Sequence, residues 1–507
     1  MLKRIGVNYV MKKKSSIEIK PYAIAIIITL CTFTICATTS PLYGFCDESH
    51  CFFSVGKAIL NGRVLYKDIL EQKGLLIYLV QIPAYLISHT SFLGVWIIQS
   101  ILITISVIFS YKIALLIMQN NAYAIISTTL MYLIVFTSSA LASAQTVEVY
   151  LLPCFSYTLF CSLKYLPNID NVQKRVLLLN GILAGIILWT KYSLLGFYFA
   201  WIAIICISLL IKKRWRDAVL NGVVFVVGML IVSLPCVLYF YINDAMLDLL
   251  KYYISGNIGS YGTQITVANL ISGYIETVVF QLKNNFLFAV VLVAGVMGFL
   301  AKRSFRFFVK INVLCAMVAQ FLIVFLHGPM FSYYFFSFAA FVILGTTSIL
   351  QIVCGFLGNR IDIKKMANNL VTLCGMICIL GALFFKPSSR QFLQDPSDLA
   401  QYKFAQIMRE KEELPTLLEY GYLDGGFYTV ADIVPSTWAY CKLNWDSKDM
   451  IEDQLSTVAN QLTDFVVTRS GVEIPEELSE NYDLIAEETQ YRVDTQYTYY
   501  LWQKKEM

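Results

Sequence analysis

The chain has 507 residues, of which 57% are hydrophobic and only 14% charged, against about 25% charged in soluble proteins. That balance excludes an ordinary cytosolic enzyme and any disordered or fibrous class. A net charge of +5 spread over the whole length excludes nucleic acid as a principal partner. The charge is unevenly divided: residues 387–507 carry 10 basic and 22 acidic side chains, which leaves 29 basic and 12 acidic ones in residues 1–386. This pattern predicts an all-α polytopic membrane domain over 1–386, followed by a small soluble α/β domain over 387–507.

A helix crosses about 30 Å of hydrocarbon with roughly 20 apolar residues. Runs of that kind lie near 21–40, 92–118, 122–139, 148–164, 176–190, 193–211, 218–241, 285–301, 309–327, 331–353 and 367–386, eleven spans in a range of 11–13. Lys12-Lys13-Lys14 before the first run imitates a signal peptide. Thr38-Thr39-Ser40 is a poor cleavage site, so the run reads as an uncleaved anchor. The stretch Leu75–Ser88 is apolar but only 14 residues long and contains Gln81 and Pro83. Such runs lie in or dip into one leaflet, which makes 41–91 one large outer loop and 243–284 a second. Basic clusters at 1–20, 164–175, 212–216, 302–310 and 360–365 then total 20 on the inner side, against 7 on the outer side. The positive-inside rule places the N-terminus in the cytoplasm and the C-terminal domain outside the cell membrane. In that domain, 399–420 and 448–463 read as helices, and Asp464-Phe465-Val466-Val467-Thr468 and Tyr497-Thr498-Tyr499-Tyr500-Leu501-Trp502 as strands. Gly425-Gly426 alone is no nucleotide-binding fingerprint.

Most of the thirteen cysteines lie inside apolar runs and act there as small hydrophobes. Cys46 and Cys51 share a polar loop and are a candidate pair if that loop faces an oxidising space. Eight of the 12 acids in 1–386 fall on the outer side: Asp47, Glu48, Asp68, Glu71, Glu148, Asp244, Asp248 and Glu276. The first four share their loop with Lys57, Arg63, Lys67 and Lys73. An acid-base cluster beside a membrane-embedded amphipathic element points to chemistry at the bilayer surface, with a merely solvated loop as its rival.

The order of residues sharpens this. The loop reads Asp47-Glu48, then Gly62-Arg63-Val64-Leu65-Tyr66-Lys67-Asp68, then Glu71-Gln72-Lys73-Gly74-Leu75. It resembles the first outer loop of the GT-C glycosyltransferases, in the bacterial branch related to protein O-mannosyltransferases and lipid A aminoarabinose transferases (glycosyltransferase family 39-like). In that family the loop closes on a Lys-Pro-Pro-like turn, which Lys73-Gly74-Leu75 replaces here. The resemblance continues through Val147-Glu148 with Leu152-Pro153, Trp189-Thr190-Lys191, and Phe331-Ser332-Tyr333-Tyr334. Ser332 stands where the family usually has His, and His327 lies five residues earlier.

The resemblance implies an inverting transfer of a sugar from a polyprenyl-phosphate donor to an acceptor hydroxyl at the outer face. Asp47 would be the general base. Lys73, then Lys191 and Arg63, would bind the donor phosphate and stabilise it as it leaves. Glu48, Glu148, Asp68, Glu71 and Tyr66 would position substrate, with Glu148 orienting the sugar or holding Lys73. No cofactor is required, although Asp47 and His50 form a weak divalent-metal candidate. The acceptor would be a wall polymer, a protein or a glycolipid. An O-antigen-type polymerase or ligase, and a non-enzymatic lipid-linked glycan transporter or flippase, are the alternatives.

Overall fold

The structure is a computed structural model, and it describes residues 47–141, 146–259, 267–328, 331–357, 373, 380, 395–445, 447–492 and 495–506. The expected span at 21–40 and Cys46 lie outside these residues, as does the span at 367–386 except for Leu373 and Leu380.

The chain enters through α1 (Asp47–Leu60), a loop, and two short helices, α2 (Leu75–Leu79) and α3 (Gln81–Ile87). These two are five and seven residues long. At about 1.5 Å per residue they reach under ~20 Å, too short to cross the hydrocarbon. They bury Leu75, Ile77, Tyr78, Gln81, Ala84 and Tyr85 against the bundle.

The bundle follows as α4 (Leu93–Met118), α5 (Asn121–Phe136), α6 (Val147–Tyr165), α7 (Lys174–Lys191), α8 (Gly196–Ile211) and α9 (Trp215–Ile242). It continues with α10 (Val267–Asn284), α11 (Phe286–Ala301), α12 (Phe307–Val324), a 3-10 segment Ser332–Phe341, and α13 (Val342–Leu357). Six helices among the described residues are long and apolar enough to cross a membrane, and three apolar helices are shorter. Boundaries follow local chemistry. Gln119 ends α4 in the left-handed region at φ 52°. The side chain of Asn120 then accepts from the amides of Ala122 and Tyr123 to start α5. α10 and α11 meet at 115°. α10 keeps Val267, Ile271, Ile275 and Val279 on one exposed apolar stripe, the pattern of a helix lying in the interface.

α6 is the centre of the bundle: 83% of its apolar stretch is buried, against 22% for α9. Its polar residues tie the helices together. Ser156 meets Ser106 of α4 at 2.7 Å, Thr158 donates to Asn180 of α7 at 2.6 Å, and Ser162 accepts from Trp201 of α8 at 2.9 Å. Between apolar helices in lipid, such bonds and close packing hold the bundle.

The C-terminal region contains α14 (Ala400–Lys411), β1 (Leu417–Glu419), α15 (Phe427–Ala431), α16 (Lys448–Ala459), β2 (Phe465–Arg469), α17 (Glu476–Asn481), β3 (Tyr482–Arg492) and β4 (Thr495–Lys504). The expected helix over 399–420 stops at Lys411. Glu412 turns extended, Pro415 lacks the amide a helix needs, and β1 pairs in parallel with β2. The sheet runs β1-β2-β4-β3, with antiparallel β2–β4 and β3–β4 pairs. β2 is buried along most of its length, and its first three residues, Phe465-Val466-Val467, run apolar without alternation.

This region packs directly on the first loop. Ser54 donates to Asp424 at 2.5 Å, and Lys57 to the carbonyl of Tyr428 at 2.8 Å. The His50 ring lies 3.1 Å from the Thr429 hydroxyl. The amide of Leu70 donates to the Trp438 carbonyl at 2.9 Å, and the Trp438 indole donates to the Tyr66 carbonyl at 2.8 Å. Gly426 sits in the left-handed region at φ +96°, and a Cβ there would meet the His50 ring at 2.8 Å. The loop and the C-terminal region therefore share one side of the membrane.

Candidate active site

The site forms where the first loop, the ends of α6 and α7, and the segments before α10 and after α12 converge. Glu148 lies in the first turn of α6, and Lys191 is the last residue of α7. Each charge suits its helix end: the carboxylate faces a positive N-terminus and the ammonium a negative C-terminus. They form a buried ion pair at 2.5 Å. The Lys191 ammonium also lies 3.8 Å from the Tyr334 ring centroid and 5.7 Å from that of Tyr333, within cation–π range. The Tyr333 hydroxyl donates to Glu48 at 2.6 Å. Glu48, Tyr333, Lys191, Tyr334 and Glu148 are thus one connected cluster, in which Tyr333 reaches Glu48 across 285 positions.

A cavity of about 190 Å³ opens beside this cluster, lined by Lys73, Lys191, Gln72, Tyr253, Asn257 and His327 among others. Lys73 reaches it because its segment is tightly held. The Glu71 carboxylate accepts from the amides of Gln72 and Lys73 and from the Tyr78 hydroxyl. Burial raises the Glu71 pKa, and the charge of Lys73 opposes that shift. Gly74 follows Lys73, and its amide donates to the Thr190 carbonyl at 3.0 Å. A Cβ on Gly74 would sit 2.2 Å from the Trp189 carbonyl oxygen. The end of α7 leaves no room for a side chain there, and a proline would forfeit the Thr190 bond. This is the physical reason for Gly at position 74. Asn257 bridges to the Gln72 carbonyl at 2.7 Å. Tyr253, in a π-helical turn Leu249–Ser255, donates to the Leu188 carbonyl at 2.5 Å.

Three buried acceptors around the cluster have no hydrogen-bond partner among the described residues: Glu48 Oε2, Glu148 Oε2 and Gln72 Oε1. Buried acceptors are ordinarily satisfied; these three oxygens stay open to a donor that the described residues do not supply. Burial lowers the His327 pKa. His327 lines the cavity, whereas Ser332 donates away from it to the Ser139 carbonyl at 3.3 Å.

The expected site residues separate into two groups. Lys73, Lys191, Glu148 and Glu48 come together. Glu148 holds Lys191, not Lys73. The others serve the loop. Arg63 donates to the Ser436 carbonyl at 2.9 Å, outside the cavity lining. Asp68 accepts from the Val64 amide at 2.8 Å and closes the turn. Tyr66, at φ 68°, donates to the Lys73 carbonyl and stacks on Phe240 at 5.5 Å. His50 packs on Phe92 and Thr429. No group of three or more metal-ligating side chains occurs among the described residues. Asp47 is the first residue of α1, and its side chain lies outside what is described. Tyr333, Tyr334, Gln72, Tyr253 and Asn257 were not anticipated as site residues. The signal for two of them was the Tyr333-Tyr334 pair at an outer span end.

Residues 55–251 match the family model of dolichyl-phosphate-mannose-protein mannosyltransferases. That stretch holds Lys73, Glu148 and Lys191. Comparison with curated protein sequences finds no match. Among solved structures, the chain is similar to ArnT from Cupriavidus metallidurans bound to undecaprenyl phosphate. The identity is 11% and the TM-score 0.63, covering 95% of this chain and 97% of that one. The apo state of the same protein gives a TM-score of 0.62 at 11% identity, covering 94% and 97%. The chain therefore has an ArnT-like fold along almost its whole length, and its residues 55–251 resemble the mannosyltransferase family.

Proposed function

We propose that this chain, with its ArnT-like GT-C fold, is an inverting glycosyltransferase that moves a hexosyl or pentosyl group from a polyprenyl-phosphate donor to an acceptor hydroxyl at the outer membrane face. The observation that carries the reading is the meeting of Lys73 and Lys191 on one cavity backed by the Glu148 carboxylate. A lipid phosphate leaving an anomeric carbon develops negative charge, and fixed cations in a water-poor site stabilise it. The ArnT structure bound to undecaprenyl phosphate supports a lipid of that chemistry. Likeness to a transferase fold over 95% of the chain favours this reading over a transporter.

In the proposed reaction, the acceptor O–H gives its proton to Asp47 as its oxygen bonds to the anomeric carbon. The bond from that carbon to the phosphate oxygen breaks, and polyprenyl phosphate departs toward Lys73 and Lys191. Glu48 and Glu148 accept from sugar hydroxyls through their open oxygens. Asp47 suits the role by its place, one residue before Glu48 at the start of α1. Arg63, Asp68, Glu71 and Tyr66 act indirectly, by shaping the loop that carries Lys73. The N-terminus lies in the cytoplasm, while loop 41–91 and the C-terminal region lie outside.

The test compares envelope glycans, by mass spectrometry, in cells with the wild-type chain, without it, and with Asp47→Asn. The sugar modification should disappear in both altered strains while the variant inserts normally. Full modification with Asp47→Asn would remove the base assignment.

A further inference from the structure

The first loop and the C-terminal region meet at a pair of thiols. Cys51 lies on α1, and Cys441 follows β1 by about twenty residues. Their sulfurs are 3.9 Å apart, and both residues are 1% exposed. The six other free cysteines among the described residues all lie in apolar helices of the bundle. The two that lie outside it touch each other across 390 positions of sequence.

Their surroundings hold them in register. The Tyr440 hydroxyl donates to the Cys51 carbonyl at 3.4 Å. The Tyr440 carbonyl accepts from the Glu419 amide at 3.1 Å and from the Tyr428 hydroxyl at 3.0 Å. On the neighbouring turn of α1, Ser54 is fixed to Asp424. A disulfide is about 2.05 Å long. The sulfurs, 3.9 Å apart, need to close by less than about 2 Å.

We propose that Cys51 and Cys441 form a disulfide that covalently ties the C-terminal region to α1, the helix bearing Glu48. The inference rests on the outward orientation proposed above, because disulfides persist in oxidising compartments. The oxidant is a disulfide-bearing thiol oxidant of the extracytoplasmic space. One cysteine thiolate attacks its S–S bond to give a mixed disulfide. The second then displaces the oxidant, forming the Cys51–Cys441 bond. The oxidant gains two electrons and leaves as a dithiol carrying the two protons the cysteines give up. Because the pair is buried once the region docks, the bond forms during folding and resists later reduction.

The test uses the full chain in its native membrane. Membranes are quenched with N-ethylmaleimide without reductant, and the protein is denatured, digested and analysed by mass spectrometry. The expected result is a Cys51–Cys441 linked peptide in most molecules, resolved into two peptides by reduction. Maleimide on both cysteines in most molecules, or a Cys46–Cys51 link, would overturn the proposal. A Glu473→Cys chain, altered at an exposed position, is treated in parallel on intact cells with a membrane-impermeant maleimide. Labelling there with free Cys51 and Cys441 rejects the disulfide and leaves the topology standing. Absence of both labelling and link rejects the two together.

Discussion

At the residue scale, the site depends on charges that are buried because they are paired. Glu148 is 1% exposed and is balanced by Lys191. Lys191→Met would strand that carboxylate in the bundle, at a cost of about 3–5 kcal/mol. Thermal unfolding in detergent should show the loss, and adding Glu148→Gln should recover much of it without restoring sugar transfer. Equal stability of Lys191→Met and wild type would mean that the pair is not buried as described. Lys57 provides a second check. Burial lowers its pKa from 10.5 to about 8, against the attraction of Asp432 and Asp424. Between pH ~8 and ~10.5 the folded chain has released this proton while the unfolded chain keeps it. Stability therefore gains with pH through that window, by on the order of 3 kcal/mol in full. Lys57→Met should flatten this part of the pH profile of unfolding, and an unchanged profile would contradict the assignment. Charged loop residues could be found from the sequence, but their roles could not. Lys73 and Arg63 are both basic residues of one loop, and only the fold turns one to the cavity and the other to the Ser436 carbonyl. Tyr333 and Tyr334 sit in a run that the resemblance marks as a span-end motif, but only the fold shows that they meet Glu48 and Lys191.

At the scale of elements, the apolar helices were readable because the bilayer imposes a length on them. The break of Leu75–Ser88 into α2 and α3 follows the same arithmetic. β1 escaped notice because three residues carry no periodicity and their pairing partner, β2, lies almost fifty positions away. Gly74 packs against the end of α7 with no room for a side chain. Gly74→Ala requires α2 to move away from Trp189, and Lys73 moves with it. Misplacement of a catalytic charge by about 1 Å costs on the order of a hundredfold. Sugar transfer by Gly74→Ala should fall by at least tenfold at unchanged expression. Activity equal to wild type would show that the turn is not what places Lys73.

At the scale of the whole molecule, one arrangement explains the charge asymmetry. In the proposed orientation the basic clusters stay inside, and the acidic C-terminal region closes over the first loop from the other side. A Lys213→Cys chain should resist a membrane-impermeant maleimide on intact cells and react after permeabilisation. Labelling before permeabilisation would invert the topology and take the outer-face reaction with it. The central claim is that the cavity bearing Lys73 and Lys191 receives a lipid phosphate. It is tested most directly by titrating polyprenyl phosphate into the purified wild-type chain and into Lys73→Met. Charge-assisted hydrogen bonds contribute about 1.5–3 kcal/mol, so the variant should bind roughly ten- to hundredfold more weakly. Binding of equal strength by both would contradict the account.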